Sequence, residues 1–527
     1  MKQVFRQNRS KLLLFFLVTS LLAAGMIADA FLLQVITNVA TRKIAFPLLP
    51  LVAVTSIFLL LQTGIYFFQQ SFQGKLIKEL ANQYRNRLFS QFEKLSAQRV
   101  LSRHSGEYLS ELTTQIETLE NSYFYPLLWG SYLIFQCLFA TLAALWLNPI
   151  LTLLVLVLSL PNLLLPYFFQ NKLAQKRRQV VKETGQLYRS LEDLLKGLEA
   201  WLSLRKEHFI LGFFYQKTEE LLAKNRQLID TEEGVAALTK IFSDFLYYGS
   251  WLCGAFFILR GQMTLAQMIA FAQLISNISF PIHQFSDLLT TFIGGQEVKT
   301  HLAEVFSLGK DSPSAAGSEE RLQAICLQQF KAIATSKQVP LDYCFQMNKK
   351  YLLLAQSGQG KTSLLRALLK LNPSYSGRIV MNGKELNEWQ EKELFTRLGY
   401  LPQEIFIFNA SLRENLRLFD SATSDEQLMT VLKQVNLPDW ATVEGLDTLL
   451  GSGGKKLSGG ESKRLGLARL LLKNYDFLLL DELSAGLDAG HLASLEEQLF
   501  HLDIGFIYVT HQVHPELIDQ ADAVVNL

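Results

Sequence analysis

The apolar residues of this chain are distributed unevenly, and their distribution most constrains its fold. Hydrophobic residues make up 49% of the 527 residues. Before about residue 295 they gather into runs long enough to cross a bilayer, which takes about 20 residues of helix. The six runs are 11–38, 47–70, 124–147, 150–170, 241–260 and 264–290. We therefore predict a membrane domain of six transmembrane helices, followed by a soluble domain.

Lysine and arginine residues between the runs predict the orientation of these helices. They are abundant before the first run and in segments 71–122 and 171–239. The connections on the opposite side are short: Thr41–Ala45, Asn148–Pro149 and Arg260–Met263. Positively charged connections stay in the cytoplasm. We expect a multi-pass protein of the cytoplasmic membrane with both termini and the soluble domain in the cytoplasm, no cleavable signal and no N-terminal peptidase domain.

The two long cytoplasmic segments carry apolar residues at helical spacing, in Gln70–Leu95 and Asn171–Lys196. The spanning helices should therefore continue as helices well past the bilayer. The turning points of the two segments are His104–Phe124 and Gly197–Lys217. Each is either a solvated connector or contains a short helix that docks on the soluble domain, and periodicity alone leaves both interpretations open.

Polar residues inside the spans are costly to place in lipid, so each of them asks for a reason. These residues are Asp29, Gln136, Asn162, Asp244, Gln273 and Asn277. Asp29 and Asn277 are candidates for lining a substrate path. The alternative for every one of the six is a helix–helix hydrogen bond or a wetted span end. Pro161, Pro166 and Pro281 predict kinks or ends in their helices.

Net charge and cysteine spacing bear on the other classes of function. The net charge of +2 does not favour nucleic acid as a partner. The four cysteines show no paired spacing, and two of them lie in apolar runs: Cys137, Cys253, Cys326 and Cys344. We expect no disulfide and no metal site built from them.

A stretch of small and polar residues, Lys310–Glu319, predicts the domain boundary. From Arg321 onward, strand and helix patterns alternate as in a layered α/β domain. We predict a transmembrane domain over 1–308, a linker over 309–320 and an α/β nucleotide-binding domain over 321–527.

The soluble domain is organised around Tyr351–Leu369, in which an apolar strand, a Gly-containing loop and a helix follow one another. This is the context that a phosphate-binding loop requires. Backbone N–H groups would point at phosphate oxygens, Lys361 would reach the β- and γ-phosphates, and the Thr362 hydroxyl would hold Mg²⁺. Ala355 stands where the pattern has Gly, which requires a negative φ there. The nucleotide-contacting positions are Ser357, Gly358, Gln359, Gly360, Lys361, Thr362 and Ser363.

A second acidic motif follows an apolar strand at Phe477–Glu482. A carboxylate at the end of a strand beside a phosphate loop suits Mg²⁺, which we assign to Asp481. Glu482 then suits polarisation of the attacking water. An acidic pair after a strand is also a common helix N-cap, but together with the phosphate loop it favours catalysis.

The pentapeptide Leu457–Glu461, LSGGE, opens a helix between these two motifs. Ser458, Gly459, Gly460 and Glu461 would form another anion cradle at that helix N terminus. With this motif the chain resembles the ATP-binding cassette (ABC) family, and more narrowly a bacterial exporter half-transporter with a fused six-helix membrane domain. The resemblance implies coupling helices within Arg103–Thr114 and Gly197–Lys217.

The remaining motifs of that family follow in order along the chain. Gln403 matches the glutamine that senses the γ-phosphate and the metal, His511 matches the switch histidine, and Asp488 closes a segment that resembles the D-loop. Phe330 falls where the family places an adenine-stacking aromatic, and the alternative is a plain core residue of a strand. Ser452 and Ala485-Gly486 depart from the usual residues.

The resemblance implies an ATPase whose Leu457–Glu461 motif, the family's signature, closes over the ATP of a second chain, so a dimer is required. Its cofactors would be ATP and Mg²⁺, and its partner a second half-transporter, either another copy or a paralogue. The implied activity is ATP-driven export of a solute by alternating access. The alternatives are an ATP-gated channel or regulatory subunit and an uptake transporter of the same layout. The intact Glu482 and His511 favour turnover over a gate.

Overall fold

The computed structural model describes residues 1–92, 95–103, 105–306, 321–332, 340–354, 359–371, 374–418, 422–454, 456–483, 489–510 and 515–526. The chain divides into two compact units. The first comprises Met1–Phe92 and Ser105–Ser307, and the second comprises Glu93–His104 and Leu308–Leu527. The predicted linker over 309–320 lies outside the described residues, so the predicted domain bounds stay a prediction.

The first unit is helical. Its helices are α1 (Lys2–Gln7), α2 (Arg9–Ala40), α3 (Leu48–Phe89), α5 (Ser105–Leu112), α6 (Thr114–Leu119), α7 (Tyr125–Leu147), α8 (Pro149–Lys196), α9 (Leu198–Ser203), α10 (Glu207–Leu259) and α11 (Leu265–Val305), with a π-helix at Glu120–Phe124. Helix α4 (Ala97–Leu101) belongs to the second unit.

The long helices of this unit carry the predicted spans. Among the described residues, five stretches of helix are long and apolar enough to cross a membrane, and the apolar part of α8, Pro149–Asn162, is shorter. Helix α8 begins at Pro149, where the Asn148 side chain accepts a hydrogen bond from Leu151 N–H at 3.0 Å. The helices do not end at their prolines, since α8 continues through Pro161 and Pro166 and α11 continues through Pro281.

Three of the six polar residues predicted inside the spans make hydrogen bonds between helices: Asp29, Gln136 and Asn277. The Gln62 amide on α3 donates to the Asp29 carboxylate on α2 at 3.0 Å. The Gln136 amide on α7 donates to the Asn277 side-chain oxygen on α11 at 2.9 Å, and both residues are buried. These contacts are the helix–helix hydrogen bonds of the alternative interpretation, in which the side chains hold helices together.

The described strands of the second unit form two sheets. They are β1 (Ala324–Ala332), β2 (Leu341–Gln346), β3 (Lys350–Leu354), β4 (Tyr375–Met381), β5 (Lys384–Glu385), β6 (Leu398–Leu401), β7 (Phe477–Asp481), β8 (Phe506–Thr510) and β9 (Ala523–Asn526). The order β6-β7-β8-β3-β9 makes a parallel sheet, and β2-β1-β4-β5 makes an antiparallel sheet.

Helices pack on both faces of the parallel sheet. After α4, the described α-helices of this unit are α12 (Lys361–Leu368), α13 (Glu391–Arg397), α14 (Leu412–Arg417), α15 (Asp425–Gln434), α16 (Val443–Asp447), α17 (Gly459–Leu471), α18 (Ala489–Phe500) and α19 (Pro515–Gln520). Alternate residues of one strand enter different cores: Leu478 and Leu480 pack with α17, whereas Leu479 packs with α12. Burial on both faces explains the unbroken apolar runs of these strands.

One prediction about the cysteines is wrong. Cys326 on β1 and Cys344 on β2 stand directly opposite each other in the antiparallel register and form a disulfide. The 18-residue separation carries no signal of this pairing, because only the register of two strands brings the thiols together. Cys137 and Cys253 are free.

Candidate functional site

Helix α12 and the acidic motif both lie at the carboxyl ends of parallel strands, β3 and β7, which are separated by one strand. β3 and β7 both pair with β8, and the carboxyl edge of such a sheet is where α/β proteins bind ligands. Between β3 and α12, Gly360 has φ of 93°, a left-handed conformation that glycine adopts without steric cost. Helix α12 therefore begins at Lys361 with its N terminus at this edge of the sheet.

Thr362 and Asp481, two of the residues predicted to hold Mg²⁺, lie in contact. The Thr362 hydroxyl donates to Asp481 Oδ1 at 3.0 Å, and Asp481 is only 1% exposed. Burial raises the pKa of Asp481, against the lowering effect of hydrogen bonds from Thr362 and Tyr400. A buried carboxylate beside a hydroxyl is the oxygen donor set that Mg²⁺ takes, so the residues present fit the implied metal.

Glu482 and Gln403 also lie together. The Gln403 amide donates to Glu482 Oε2 at 2.7 Å. Glu482 itself has φ of 48°, and its backbone N–H donates to the Val509 carbonyl at 3.1 Å. The second carboxylate of the site is thus aimed at the glutamine by a backbone conformation that non-glycine residues seldom adopt.

Lys361 lies at the N terminus of α12 and is buried. Burial lowers the pKa of Lys361, and the neighbouring charges of Glu482 and Asp481 oppose that effect. A buried ammonium beside two carboxylates forms a compact charge cluster at the edge of the sheet. The Lys361 ammonium at a helix N terminus suits a phosphate anion, whereas carboxylates beside a phosphate require a cation such as Mg²⁺ between them.

The signature motif forms the N terminus of helix α17. Ser458 is its N-cap and accepts from Glu461 N–H at 3.2 Å, while Glu461 Oε2 accepts from Ser458 N–H at 2.7 Å, which is a capping box. The Trp440 indole donates to Glu461 Oε1 at 2.8 Å. Burial raises the pKa of Glu461, but the hydrogen bonds from Ser458 and Trp440 lower it overall. The Glu461 carboxylate therefore shapes the cap, and Gly459 and Gly460 form the first helical positions.

Phe330 is the predicted residue whose surroundings differ most from its assigned role. Its side chain is fully buried in the core shared by β1 and α12, and its ring stacks on Tyr375 with centroids 5.5 Å apart. A ring enclosed in this way presents no face to a nucleotide, which favours the core alternative. Adenine stacking by Phe330 stays a prediction.

Other predicted residues lie where the structure gives no description. Ser357, Gly358, Asp488 and His511 fall outside the described residues, as does Ala355. Gln359, Gly360 and Ser363 are described and flank Lys361 and Thr362 in the turn and first helical residues before and within α12.

The sequence motifs did not identify two residues that lie at this site. Tyr400 on β6 donates its hydroxyl to Asp481 Oδ2 at 3.2 Å, and burial together with Asp481 raises the pKa of Tyr400 to about 12. Lys463 on α17 donates to the backbone carbonyls of Glu482 and Leu483 at 3.1 Å and 2.7 Å. Tyr400 stands three residues before Gln403, and Lys463 two residues after Glu461, which was the sequence signal available for each.

Known family models match both units of the chain. The model described as the ABC transporter transmembrane region matches residues 12–282, and the model described as ABC transporter matches residues 339–485. This chain belongs to the ABC transporter family. It is a half-transporter of multi-pass membrane type, with an α-helical transmembrane domain followed by an α/β P-loop domain that binds ATP and couples its hydrolysis to transport.

Relatives of known organism show how far the similarity reaches. The chain is 24% identical over 486 residues to YgaD of Bacillus subtilis strain 168, an ATP-binding/permease protein named for multidrug export, covering 89% of this chain and 83% of YgaD. It is 37% identical over 198 residues to the glutathione/L-cysteine transport system ATP-binding/permease protein CydC of Haemophilus influenzae, covering 36% of this chain and 33% of CydC.

A solved structure shows the same fold over nearly the whole chain. The structure of a bacterial Atm1-family ABC exporter with ATP bound superposes with a TM-score of 0.81, covering 99% of this chain and 93% of that one. The two sequences are 17% identical, so this likeness concerns the fold. The ABC half-transporter layout implies that two such halves assemble in the membrane.

Proposed function

We propose that this ABC half-transporter exports a solute across the cytoplasmic membrane by ATP-driven alternating access. The observation that carries the proposal is the meeting of two pairs at one sheet edge. Thr362 contacts Asp481, and Gln403 contacts Glu482. The first pair suits a metal–phosphate complex and the second suits an attacking water, which together make a hydrolytic site.

Each residue of the site has a separate task in hydrolysis. Lys361 binds the β- and γ-phosphates, and the N–H groups at the start of α12 orient them. Thr362, Asp481 and Gln403 would hold Mg²⁺, which when bound neutralises charge on the phosphate oxygens. Glu482 accepts the proton of the attacking water while Gln403 fixes its carboxylate. The role of His511 as the switch histidine follows from the resemblance alone.

The partner is a second half-transporter, either another copy or a paralogous chain. In this arrangement Ser458 and the following glycines of one chain close over the ATP held by Lys361 of the other. Expressing the chain alone and measuring its mass in detergent separates the two cases. An active dimer of one chain establishes the homodimer, whereas an inactive monomer rescued by a co-expressed paralogue establishes the heterodimer.

Short helices at the turning points would transmit the closure of the ATP-binding domains. Helix α4 groups with the second unit, and Ala97 N–H donates to Glu391 Oε2 at 2.8 Å. α4 ends just before the predicted range Arg103–Thr114. All residues of α9 are at least partly exposed, as suits a helix that docks elsewhere. A cysteine cross-link between positions 97 and 391 tests the observed contact. Cross-links from 205 or 208 to the surface near Gln403 test the proposed docking of the second segment.

Reconstitution in inside-out vesicles tests the whole proposal. With Mg-ATP outside, the purified transporter should accumulate solute against its gradient, and hydrolysis should rise with solutes drawn from drugs, lipids, peptides and thiols. Glu482→Gln should bind ATP but turn over at least about 100-fold more slowly, as expected for loss of a general base. Near wild-type hydrolysis in this variant removes Glu482 as the base, and solute flow only down its gradient establishes a channel.

A further inference from the structure

Lys463 is a buried lysine beside the candidate site whose role the proposed reaction leaves open. It lies in the second turn of α17, five residues after the N-cap Ser458, and is 6% exposed. Its ammonium donates to the Glu482 carbonyl at 3.1 Å and to the Leu483 carbonyl at 2.7 Å. A lysine carries three donors and no acceptor, so these two carbonyl contacts use most of its hydrogen-bonding capacity.

Burying an ammonium requires compensation. Burial lowers the pKa of Lys463, and the charge of Glu482 opposes that effect. The two carbonyl oxygens supply hydrogen bonds that replace those lost to water. A methionine or leucine would fill the same space without this cost, so packing alone does not account for a lysine here.

The backbone that Lys463 contacts is strained. Glu482 has φ of 48°, and the left-handed region costs a non-glycine residue about 1–2 kcal/mol. Strain of this kind persists when surrounding contacts fix the conformation. Three contacts do so at Glu482: its N–H donates to Val509, its carboxylate accepts from Gln403, and its carbonyl accepts from Lys463.

We propose that Lys463 is a positioning residue for hydrolysis: it clamps the carbonyls of Glu482 and Leu483 and so holds the Glu482 carboxylate against Gln403. The inference rests on the proposed role of Glu482 as the base. Lys463 touches neither nucleotide nor water in this role and acts through the backbone of its neighbour.

The clamp also connects two sites of the dimer. α17 is one continuous helix from Gly459 to Leu471, so Lys463 moves with its N terminus. In the proposed dimer, Ser458 faces the ATP held by the partner chain, whereas Glu482 serves the ATP of its own chain. Contact of Ser458 with the ATP of the partner chain would therefore orient the Glu482 carboxylate at the ATP of its own chain.

The primary test compares Lys463→Met with Lys463→Arg in the full transporter in vesicles. Lys463→Met should lower kcat by about 10- to 100-fold, because a displacement of about 1 Å at a reacting group costs up to about 100-fold. KM and the equilibrium affinity for ATP should change less than about twofold, since phosphate binding is left in place. Lys463→Arg, which keeps donors for both carbonyls, should recover most of kcat. An unchanged kcat in Lys463→Met would overturn the proposal.

Lys370→Met provides a matched control. Lys370, just past the carboxyl end of α12, also donates to two backbone carbonyls, those of Asn387 and Trp389, and burial lowers its pKa as well. This variant should lose thermal stability and keep kcat. If Lys370→Met and Lys463→Met lose kcat equally, the effect is general destabilisation and the positioning role is wrong.

A double-mutant cycle separates this inference from the proposed base. In single-turnover assays Glu482→Gln and the double variant should hydrolyse at the same residual rate, because Lys463 acts through the missing carboxylate. If the double variant is instead slower than Glu482→Gln by the factor that Lys463→Met shows on its own, the positioning role of Lys463 is wrong and the proposed base is unaffected. Near wild-type turnover in Glu482→Gln overturns the base itself. Where Lys463→Met does not fold, Lys463→Gln decides: its shorter, neutral amide should cost kcat at least about threefold, and wild-type kcat contradicts the clamp.

Discussion

The parallel and antiparallel sheets of the second unit place their polar residues differently. Every residue of β7 and β8 is buried, and the residues of the candidate site lie where such strands end, with Asp481 the last residue of β7. In β2 of the antiparallel sheet, exposed residues alternate with half-buried or buried ones. Its notable pair, Cys326 and Cys344, lies within the strands.

This difference follows from what covers each sheet. A parallel sheet is packed on both faces, so polar side chains are displaced to the carboxyl ends of its strands. An antiparallel sheet needs one apolar face only, so its side chains can serve packing and cross-strand pairing along their whole length. We infer that the parallel sheet carries the chemistry and the antiparallel sheet carries stability.

The largest expected effect comes from Asp481→Asn at the carboxyl end of β7. The change keeps the side-chain volume and removes the charge from the predicted metal site, so kcat should fall by about 100-fold or more. Asp522→Asn is the control, because Asp522 accepts from Lys350 N–H at the amino end of β3. It should cost about 1 kcal/mol of stability and leave kcat unchanged. If Asp481→Asn and Asp522→Asn lose kcat equally, the chemistry is not confined to the carboxyl ends of the parallel strands.

Phe330→Ala should show the opposite pattern in the antiparallel sheet. Truncating a fully buried phenylalanine should lower the free energy of unfolding by about 3–5 kcal/mol, while the folded fraction keeps its affinity for ATP. Phe330→Leu, which conserves most of the volume, should cost less than about 1.5 kcal/mol. Denaturant unfolding and nucleotide titration measure the two quantities. Weakened ATP binding at unchanged stability would instead establish adenine stacking.

Reducing the Cys326–Cys344 bond should have a slightly smaller effect on stability. A disulfide that closes a loop with a sequence separation of 18 residues destabilises the unfolded chain by about 3 kcal/mol. A thiol reductant should therefore lower the free energy of unfolding by about that amount. The Cys326→Ala/Cys344→Ala variant should be equally destabilised and insensitive to the reductant. Hydrolysis by the folded protein should stay unchanged in every case, and a fall in kcat would place the antiparallel sheet in the chemistry.

Tyr400→Phe should give the smallest effect of the four, a change in the Mg²⁺ dependence of ATP hydrolysis. Losing the hydroxyl that donates to Asp481 should cost about 1 kcal/mol, which is about fivefold in the Mg²⁺ concentration needed for half-maximal hydrolysis. Tyr343→Phe, in β2 of the antiparallel sheet, is the matched control and should leave the Mg²⁺ dependence unchanged. Identical Mg²⁺ curves for Tyr400→Phe and the unaltered transporter would remove Tyr400 from the site.

Local motifs account for the part of the site that was predictable. Lys361 and Thr362 follow a glycine at the start of a helix, and Asp481 and Glu482 follow a buried strand, so each pair is defined by neighbours in the sequence. Parallel strands then bring their carboxyl ends to one edge, which makes the meeting of the pairs predictable too. The contact between Gln403 and Glu482 agrees with the implied roles of both.

Contacts between distant segments were not predictable in the same way. The burial of Phe330, the pairing of Cys326 with Cys344 and the hydroxyl of Tyr400 on Asp481 all depend on strand order and register. The contacts of Lys463 were not predictable either, since its polar sequence neighbours predict only a solvated position on a helix. Its two carbonyl partners lie 19 and 20 residues away.

The sequence by itself determined the membrane domain, the ATP-binding domain and the groups that we propose to contact phosphate and metal, because periodicity and short motifs are properties of neighbouring residues. The tertiary structure decided which side chains hold those groups in place. Register, crossing helices and the left-handed backbone of Glu482 are set by the packing of elements far apart in the chain. Whether Lys463 on α17 reaches the carbonyl of Glu482 is therefore decided by packing, which no local sequence pattern encodes.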